Sequence, residues 1–121
     1  MDEKIARALA TDRTIDITTV GRKSGQPRRI EIWFHNLDGK IYITGTPGTR
    51  DWYANMVANH DITFHLKNTT KADIPATVEP ITEPGQRRPI LERITRNVGR
   101  SEDIEKWMTD SPLVLVHLRQ D

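Results

Sequence analysis

The chain has 121 residues, of which 36% are hydrophobic and 29% are charged, and its formal net charge is +1. This is the composition of one globular domain and not that of a disordered chain. A net charge so close to zero produces no global field that favours nucleic acid, so a basic function has to be local. The absence of cysteine excludes disulfides, thiolate nucleophiles and cysteine-ligated metals.

The N-terminal segment, residues 2–11, predicts a short amphipathic helix. Ile5, Ala8 and Leu9 share one helical face, and two acidic residues stand at its start. We expect this helix mainly to cover the core; docking on a partner and contact with a membrane surface are the alternatives. The segment lacks the apolar core of a signal peptide, and no apolar run approaches the ~18 residues of a membrane span. The expected location is therefore cytoplasmic, without an integral membrane segment and with peripheral membrane contact left open.

Two strands are predicted after this helix, with an irregular loop between them. Residues 14–20 alternate apolar and polar side chains, which indicates a strand. Residues 28–36 predict a second strand with Ile30, Ile32 and Phe34 on one face.

The stretch at residues 19–29, which contains this loop, is strongly basic. It carries Arg22, Lys23, Arg28 and Arg29 and no acidic residue. Glycines let backbone N–H groups approach a ligand closely, and fixed cations add charge-assisted hydrogen bonds. The loop therefore predicts an anion cradle for phosphate, with a solvated surface turn as the alternative. Neither the Walker spacing nor GxGxxG is present, so a dinucleotide fold is not supported.

The remaining chain predicts further strands and helices. Asp38 and Gly39 form a hairpin signal, and Pro75 and Pro80 are expected to confine their strand to an edge or a bulge. About six mostly antiparallel strands and four short helices favour a mainly β (α+β) fold, with residues 1–121 closed into one small barrel domain. The later strands are expected at residues 40–45, 61–67, 71–81 and 112–118, and the later helices at residues 51–59, 82–98 and 101–108.

Two stretches of the chain, taken together, resemble a known family. Residues 18–28 read TTVGRKSGQPR and residues 52–59 read WYANMVAN. These strings are similar to TTxGRKSGxxR and WYxNLxAN of the deazaflavin (F-420)-dependent nitroreductase and quinone reductase family. The similarity covers roughly residues 14–67, and it implies a split β-barrel of the flavin-reductase and pyridoxamine-phosphate-oxidase type. It also implies F-420 as the cofactor, with FMN as the alternative because both cofactors carry a phosphate.

The resemblance further implies a cofactor site built from three segments. The basic loop would hold the cofactor's phosphate and acidic tail, the loop at residues 46–50 would border the deazaflavin ring, and the following helix would begin beside it. This chain departs from the family in the shortness of the loop before Trp52 and in having no tyrosine after Tyr53. The expected cofactor-binding residues are Arg22, Lys23, Ser24, Gly25, Arg28, Thr46, Pro47, Gly48, Thr49, Arg50, Trp52, Tyr53 and Asn55.

The implied activity is hydride transfer from reduced F-420 to an electron-poor acceptor such as a quinone or a nitro compound. A proton would come from solvent or from a hydroxyl, with Tyr53 and Ser24 as candidates, and no catalytic side chain is otherwise identified. The alternatives are a non-catalytic F-420 or flavin carrier on the same fold and an FMN-dependent reductase. A nucleic-acid-binding barrel is disfavoured, because the basic residues lack interleaved aromatics. Split barrels of this type often dimerise, and an apolar face on the N-terminal helix is consistent with a homodimer.

Other conspicuous side chains are expected to be structural. The four histidines show no HxH or HExxH spacing, so no metal site is predicted. Trp33 reads as a core residue, and Trp52 as either a core residue or a neighbour of the cofactor. Arg87 and Arg88 indicate the solvated face of a helix, with attraction of the cofactor's acidic tail as the alternative.

Overall fold

The structure, a computed structural model that describes residues 2–119, combines strands and helices in nearly equal measure. The strands are β1 (Thr14–Val20), β2 (Pro27–Trp33), β3 (His35–Leu37), β4 (Lys40–Thr44), β5 (Asp61–Leu66), β6 (Ala72–Pro80) and β7 (Leu113–Leu118). The helices are α1 (Glu3–Thr11), α2 (Asp51–Ala58), α3 (Pro84–Asn97) and α4 (Ile104–Asp110), with a 3-10 turn at Ser101–Asp103. The predicted elements therefore form close to their predicted positions. Over residues 2–119, no helix has the length and apolar character needed to cross a membrane.

All strand pairs are antiparallel, and the strands form one sheet in the order β2-β1-β5-β6-β7-β4-β3. The strands at the two ends of this order, β2 and β3, are consecutive in the chain and are separated only by Phe34. The sheet therefore curls until its two ends meet at Phe34, whose side chain is buried. This confirms the predicted split β-barrel. The single strand expected over residues 28–36 is divided here, because the Phe34 N–H bonds to Arg13 O, 3.0 Å away.

The expectation that prolines confine β6 to a sheet edge or a bulge is wrong, because this strand lies between β5 and β7. The pairing with β7 begins at Ala76 and ends at Pro80. Pro75 lies at the end of this ladder, where its carbonyl accepts the Arg119 N–H at 2.9 Å. The N–H that proline lacks therefore costs the sheet only a terminal hydrogen bond. Pro80 closes the strand.

Of the apolar face expected over residues 28–36, Phe34 is buried and Ile32 half-buried. Ile30 pairs with the buried Ile17 and shares its face of the sheet, yet 38% of Ile30 is exposed. The reason is that no element covers the sheet at this point, and an open cleft lies in front of Ile30. Trp33 is not a core residue either: it is 49% exposed, and the Arg13 guanidinium lies 5.8 Å from its ring centroid.

Two apolar clusters hold the elements together. The first fills the barrel with the alternate residues of its strands, such as Ile15, Ile17 and Phe64, and is covered by Ala8 and Leu9 of α1. The second binds α3 and α4 to the sheet; its buried members are Leu37, Tyr42, Ile81, Leu91, Ile94, Trp107 and Leu113. This arrangement brings α2, the β1–β2 hairpin and the end of α4 to the same region of the molecule.

Candidate functional site

Two clefts lie on opposite sides of the first turns of α2. Cleft A has a volume of about 510 Å³ and cleft B about 770 Å³, both within the usual range for small-molecule pockets. Cleft B is formed by residues 47–50, Tyr53 and Ala54 of α2, Thr82, Arg87, Lys106 and residues 108–112. Cleft A is lined by Thr19, Gly21, Arg22, Lys23, Ser24, Arg28, Ile30, Asp51, Trp52 and Asn55.

The β1–β2 hairpin forms a tight turn at the basic end of cleft A. Gly21 N–H donates to Gln26 O and Gly25 N–H donates to Gly21 O, both at 2.8 Å. A Cβ on Gly21 would lie 2.5 Å from the Ser24 hydroxyl oxygen, so only glycine allows this close approach. Ser24 Oγ accepts the Gln26 N–H at 3.1 Å, which leaves the hydroxyl's own hydrogen available to another acceptor.

The four cations of the hairpin have different surroundings. Arg29 faces the opposite side of the sheet, where its Nε donates to Asp16 Oδ2 at 3.0 Å, because neighbouring residues of a strand point to opposite faces. The Arg22 guanidinium is bound by the side chains of Asn55 and Asp51 in α2. Lys23 and Arg28 make no ion pair or side-chain hydrogen bond within residues 2–119. Cleft A therefore has two cations whose charge no carboxylate neutralises, as anion binding requires.

Asn55 connects α2 to the hairpin and is itself only 5% exposed. Its Oδ1 accepts the backbone N–H of Arg22 at 3.1 Å and Arg22 Nη1 at 2.9 Å. Its Nδ2 donates to Thr19 Oγ1 at 3.3 Å, and Arg22 Nη2 reaches Asp51 Oδ1 at 3.4 Å. Through these contacts Asn55 fixes the position of the basic hairpin relative to α2.

The loop at residues 46–50 is organised by its own arginine. Arg50 Nη2 donates to the carbonyl and the hydroxyl of Thr46 at 2.9 and 2.8 Å, and Nη1 donates to Thr49 O at 3.0 Å. Gly48 has a positive φ of 135°, and its N–H donates to Asp110 O at 3.0 Å, which joins the loop to the end of α4.

The sequence-predicted cofactor residues are thus divided between two clefts. Six of them line cleft A and five line cleft B, whereas Gly25 and Thr46 line neither. Trp52 is buried on the side of cleft A, and its ring meets that of Tyr53 edge to face at 6.1 Å. The cleft A residues are Arg22, Lys23, Ser24, Arg28, Trp52 and Asn55; the cleft B residues are Pro47, Gly48, Thr49, Arg50 and Tyr53.

Arg87 corrects the expectation of a solvated arginine pair. Arg88 is exposed and forms a two-pronged pair with Glu105, but Arg87 is only 7% exposed. Its guanidinium donates to four main-chain carbonyls, those of Ile81, Trp107, Met108 and Ser111, at 2.7 to 3.2 Å. Burial lowers the pKa of Arg87, and the nearby Tyr53 acts in the opposite direction. No sequence signal separates Arg87 from Arg88, so the fold alone reveals this role.

A third polar cluster lies outside both clefts. His65 is buried, its Nε2 lies 2.7 Å from Thr18 Oγ1, and its Nδ1 lies 2.6 Å from Asp73 Oδ1. This hydrogen bond from His65 lowers the pKa of Asp73. Among residues 2–119, no group of three His, Cys, Asp or Glu side chains is placed to hold a metal ion.

Comparison with known proteins places this geometry in a family. The family model described as F420H(2)-dependent quinone reductase matches residues 1–119. The solved structure of an F420 reductase is 18% identical, with a TM-score of 0.71, and the match covers 99% of this chain and 97% of that one. The conserved hypothetical protein Rv2991 from Mycobacterium tuberculosis is 20% identical, with a TM-score of 0.73 and coverage of 99% and 82%. The heme storage protein HutZ from Vibrio cholerae is 12% identical, with a TM-score of 0.74 and coverage of 99% and 91%. At these identities the three structures establish a shared fold.

Proposed function

The chain belongs to the F420H(2)-dependent quinone reductase family, and we propose that it transfers a hydride from reduced F-420 to a quinone. F-420 dependence and reductase activity follow from the family; the identity of the acceptor and the roles of individual residues are our proposal. The observation that carries the proposal is cleft A, where uncompensated cations and a free hydroxyl hydrogen meet an apolar wall.

The residues of cleft A fit an anionic cofactor with an apolar body. Lys23 and Arg28 offer charged donors to phosphate or carboxylate oxygens, and the Ser24 hydroxyl adds a neutral donor. Gly21 permits this arrangement because a Cβ at that position would meet the hydroxyl. Ile30 and Trp52 supply apolar surface in the same cleft. We assign the phosphate and acidic tail of F-420 to the basic hairpin on these grounds.

The loop at residues 46–50 is proposed to border the deazaflavin ring. The sequence predicts Arg50 among the cofactor residues, but its guanidinium is engaged by Thr46 and Thr49, so we assign it the role of shaping the loop. A loop stiffened by internal bonds and by the Gly48–Asp110 bond presents its backbone to a ligand with little loss of conformational entropy.

Bound F-420 in its reduced form supplies the hydride. The overall exchange moves one hydride and one proton to the quinone, which becomes a hydroquinone. The protein would hold F-420 and the quinone in the orientation that hydride transfer needs and would bring a proton to the acceptor oxygen. Of the two hydroxyl candidates, Ser24 lies in cleft A and Tyr53 in cleft B. They cannot both face the acceptor, and Tyr53 is the one next to the loop that we assign to the ring.

Titration of the purified protein with F-420 and, separately, with FMN tests this function, followed by steady-state reduction of a naphthoquinone and of a nitroaromatic. We expect tight binding of F-420, weaker binding of FMN and turnover with the naphthoquinone. F-420 binding without turnover of either acceptor would instead favour a carrier, and a preference for FMN would refute F-420 as the cofactor.

The expectations of a homodimer and of a cytoplasmic location stay predictions. Light scattering at micromolar protein concentration, with and without F-420, measures the oligomeric state directly.

A further inference from the structure

Cleft B contains hydroxyl groups that the protein itself does not use. Ser111, which follows α4, is 5% exposed, and its Oγ has no hydrogen-bond partner among residues 2–119. The phenol of Tyr53, on the opposite element of the cleft, makes no hydrogen bond to a described protein atom either. Buried polar groups are nearly always hydrogen-bonded, so an unpartnered serine hydroxyl in the wall of a cleft calls for an explanation.

Arg87 explains why Ser111 lacks a partner. A serine hydroxyl at the end of a helix can bond to the carbonyl four residues earlier, which is Trp107 O here. That oxygen already accepts the Ser111 N–H at 3.1 Å and Arg87 Nη2 at 3.1 Å, and a carbonyl oxygen has two lone pairs. Arg87 also occupies Met108 O and Ser111 O. Trp107 O is therefore saturated, and no protein atom among residues 2–119 accepts the hydrogen of the Ser111 hydroxyl.

The charges around cleft B favour an electron-rich oxygen as that acceptor. Arg87 is buried and bonded only to neutral carbonyls, so its positive charge is not compensated by a carboxylate. Lys106 and Arg50 are further cations of the lining, against the single carboxylate of Asp110. Ser111 Oγ has almost no accessible surface in this structure, so the side chain has to turn to another staggered χ1 rotamer to meet a bound oxygen. The positive surroundings also stabilise the negative charge that hydride addition places on that oxygen.

We infer that cleft B is the acceptor site, and that Tyr53 and Ser111 donate hydrogen bonds to a carbonyl oxygen of the quinone. This inference rests on the proposed function for the identity of the acceptor. It also reassigns Tyr53 from the cofactor to the acceptor, with cleft A left to the cofactor's anionic part. The apolar surface that a flat quinone needs comes from Met108 and Pro112.

The test removes one oxygen at a time. Tyr53→Phe and Ser111→Ala are the site variants; Tyr42→Phe and Ser101→Ala are matched controls, because they make the same chemical changes outside cleft B. The affinity for 2-methyl-1,4-naphthoquinone is measured by quenching of tryptophan fluorescence on the cofactor-free chain and by KM on the F-420-loaded protein. The affinity for F-420 and the melting temperature are measured for every variant.

We expect each site variant to weaken quinone binding about tenfold, which corresponds to one lost hydrogen bond. The quinone affinity of the two controls, and the F-420 affinity of all four variants, should change less than about twofold. The melting temperature of Ser111→Ala should not fall, since the hydroxyl has no protein partner to lose. Unchanged quinone affinity in both site variants overturns the inference, as does a loss confined to F-420 affinity, which would make Tyr53 a cofactor contact. If the wild-type chain fails to bind F-420 but binds the naphthoquinone through both hydroxyls, the proposed function fails and the site stands.

Discussion

Asn55 Oδ1 and Arg22 are joined twice, once through the Arg22 backbone N–H and once through its guanidinium. One buried oxygen thus fixes both the path of the basic hairpin and the direction of its first arginine. The anion-binding side of cleft A depends on a helix that lies more than thirty positions later in the chain.

Replacing Asn55 with alanine should loosen the hairpin. The change leaves the Arg22 N–H without its acceptor, and we expect a loss of about 1–3 kcal/mol in the free energy of unfolding. The F-420 affinity should fall about tenfold or more, since the loop would have to be ordered at the expense of binding energy. Urea unfolding and F-420 titration measure the two effects. Asn59→Ala, at the end of the same helix, affects only the Asp61 N–H and should leave F-420 affinity unchanged.

Removing the free cations of cleft A should weaken F-420 binding without destabilising the fold. Lys23→Ala and Arg28→Ala each remove a charged donor worth roughly 1.5–3 kcal/mol when it is well placed, and both losses should shrink as salt concentration rises. Arg29→Ala is the matched control, because Arg29 follows Arg28 in sequence but pairs with Asp16 on the other face. Equal loss of affinity in the Arg28 and Arg29 variants would argue against cleft A as the anion site.

Gly21→Ala should disturb the basic end of cleft A through one contact, with the Ser24 hydroxyl. The new Cβ would lie 2.5 Å from Ser24 Oγ and 3.2 Å from Gln26 O, so the hydroxyl must move. We expect about a tenfold loss of F-420 affinity, equivalent to one misplaced hydrogen bond, measured by fluorescence titration. Gly85→Ala adds the same methyl group where no atom lies within 4 Å and should leave binding intact. Wild-type affinity in Gly21→Ala would show that Ser24 does not contact the cofactor.

Arg87→Met should be the most destabilising of these changes. It removes a guanidinium that holds four carbonyls at the junction of α3, α4 and the start of β7, and hydrogen bonds to charged groups are worth about 1.5–3 kcal/mol each. We expect a loss of more than 3 kcal/mol in the free energy of unfolding. Arg88→Met, which breaks only an exposed pair with Glu105, should cost less than about 1 kcal/mol. Similar melting temperatures for the two variants would contradict the structural role of Arg87.

The ion pairs of Asp16 on the outer face of the sheet make the folding stability depend on pH in the acidic range. Its carboxylate accepts from Lys67 Nζ at 2.7 Å and from Arg29 Nε at 3.0 Å, and these hydrogen bonds lower the pKa of Asp16 below its ordinary value of 3.8. Because the folded pKa is the lower one, the stabilisation is fully present above that ordinary value and is lost as pH falls through the folded pKa. Asp16→Asn should therefore be less stable than wild type at pH 7, and the difference in stability should shrink as the pH falls below 3.8. A difference in stability that stays constant as the pH falls from 7 through the acidic range would exclude this linkage.

Local sequence patterns were sufficient to predict most of the strands and helices. Alternation placed β1 and β5 correctly, the Asp38–Gly39 turn joined β3 to β4, and the apolar faces of α1 and α3 marked both helices. Pattern reasoning failed at Pro75 and at Ile30, because neither position is decided locally. Whether a proline occupies an edge depends on where the neighbouring ladder begins, and whether an isoleucine is buried depends on what covers the sheet in front of it.

The sequence by itself determined that a basic, glycine-containing hairpin and a Trp-Tyr helix exist, because these are contiguous runs with their own local physics. Only the tertiary structure decided that Asn55 ties the two together, that α2 divides the expected cofactor residues between two clefts, and that Arg87 is buried while Arg88 is not. Each of these depends on contacts between segments far apart in the chain. The direction of a side chain and the saturation of a carbonyl are set by neighbours that only folding brings within hydrogen-bonding distance.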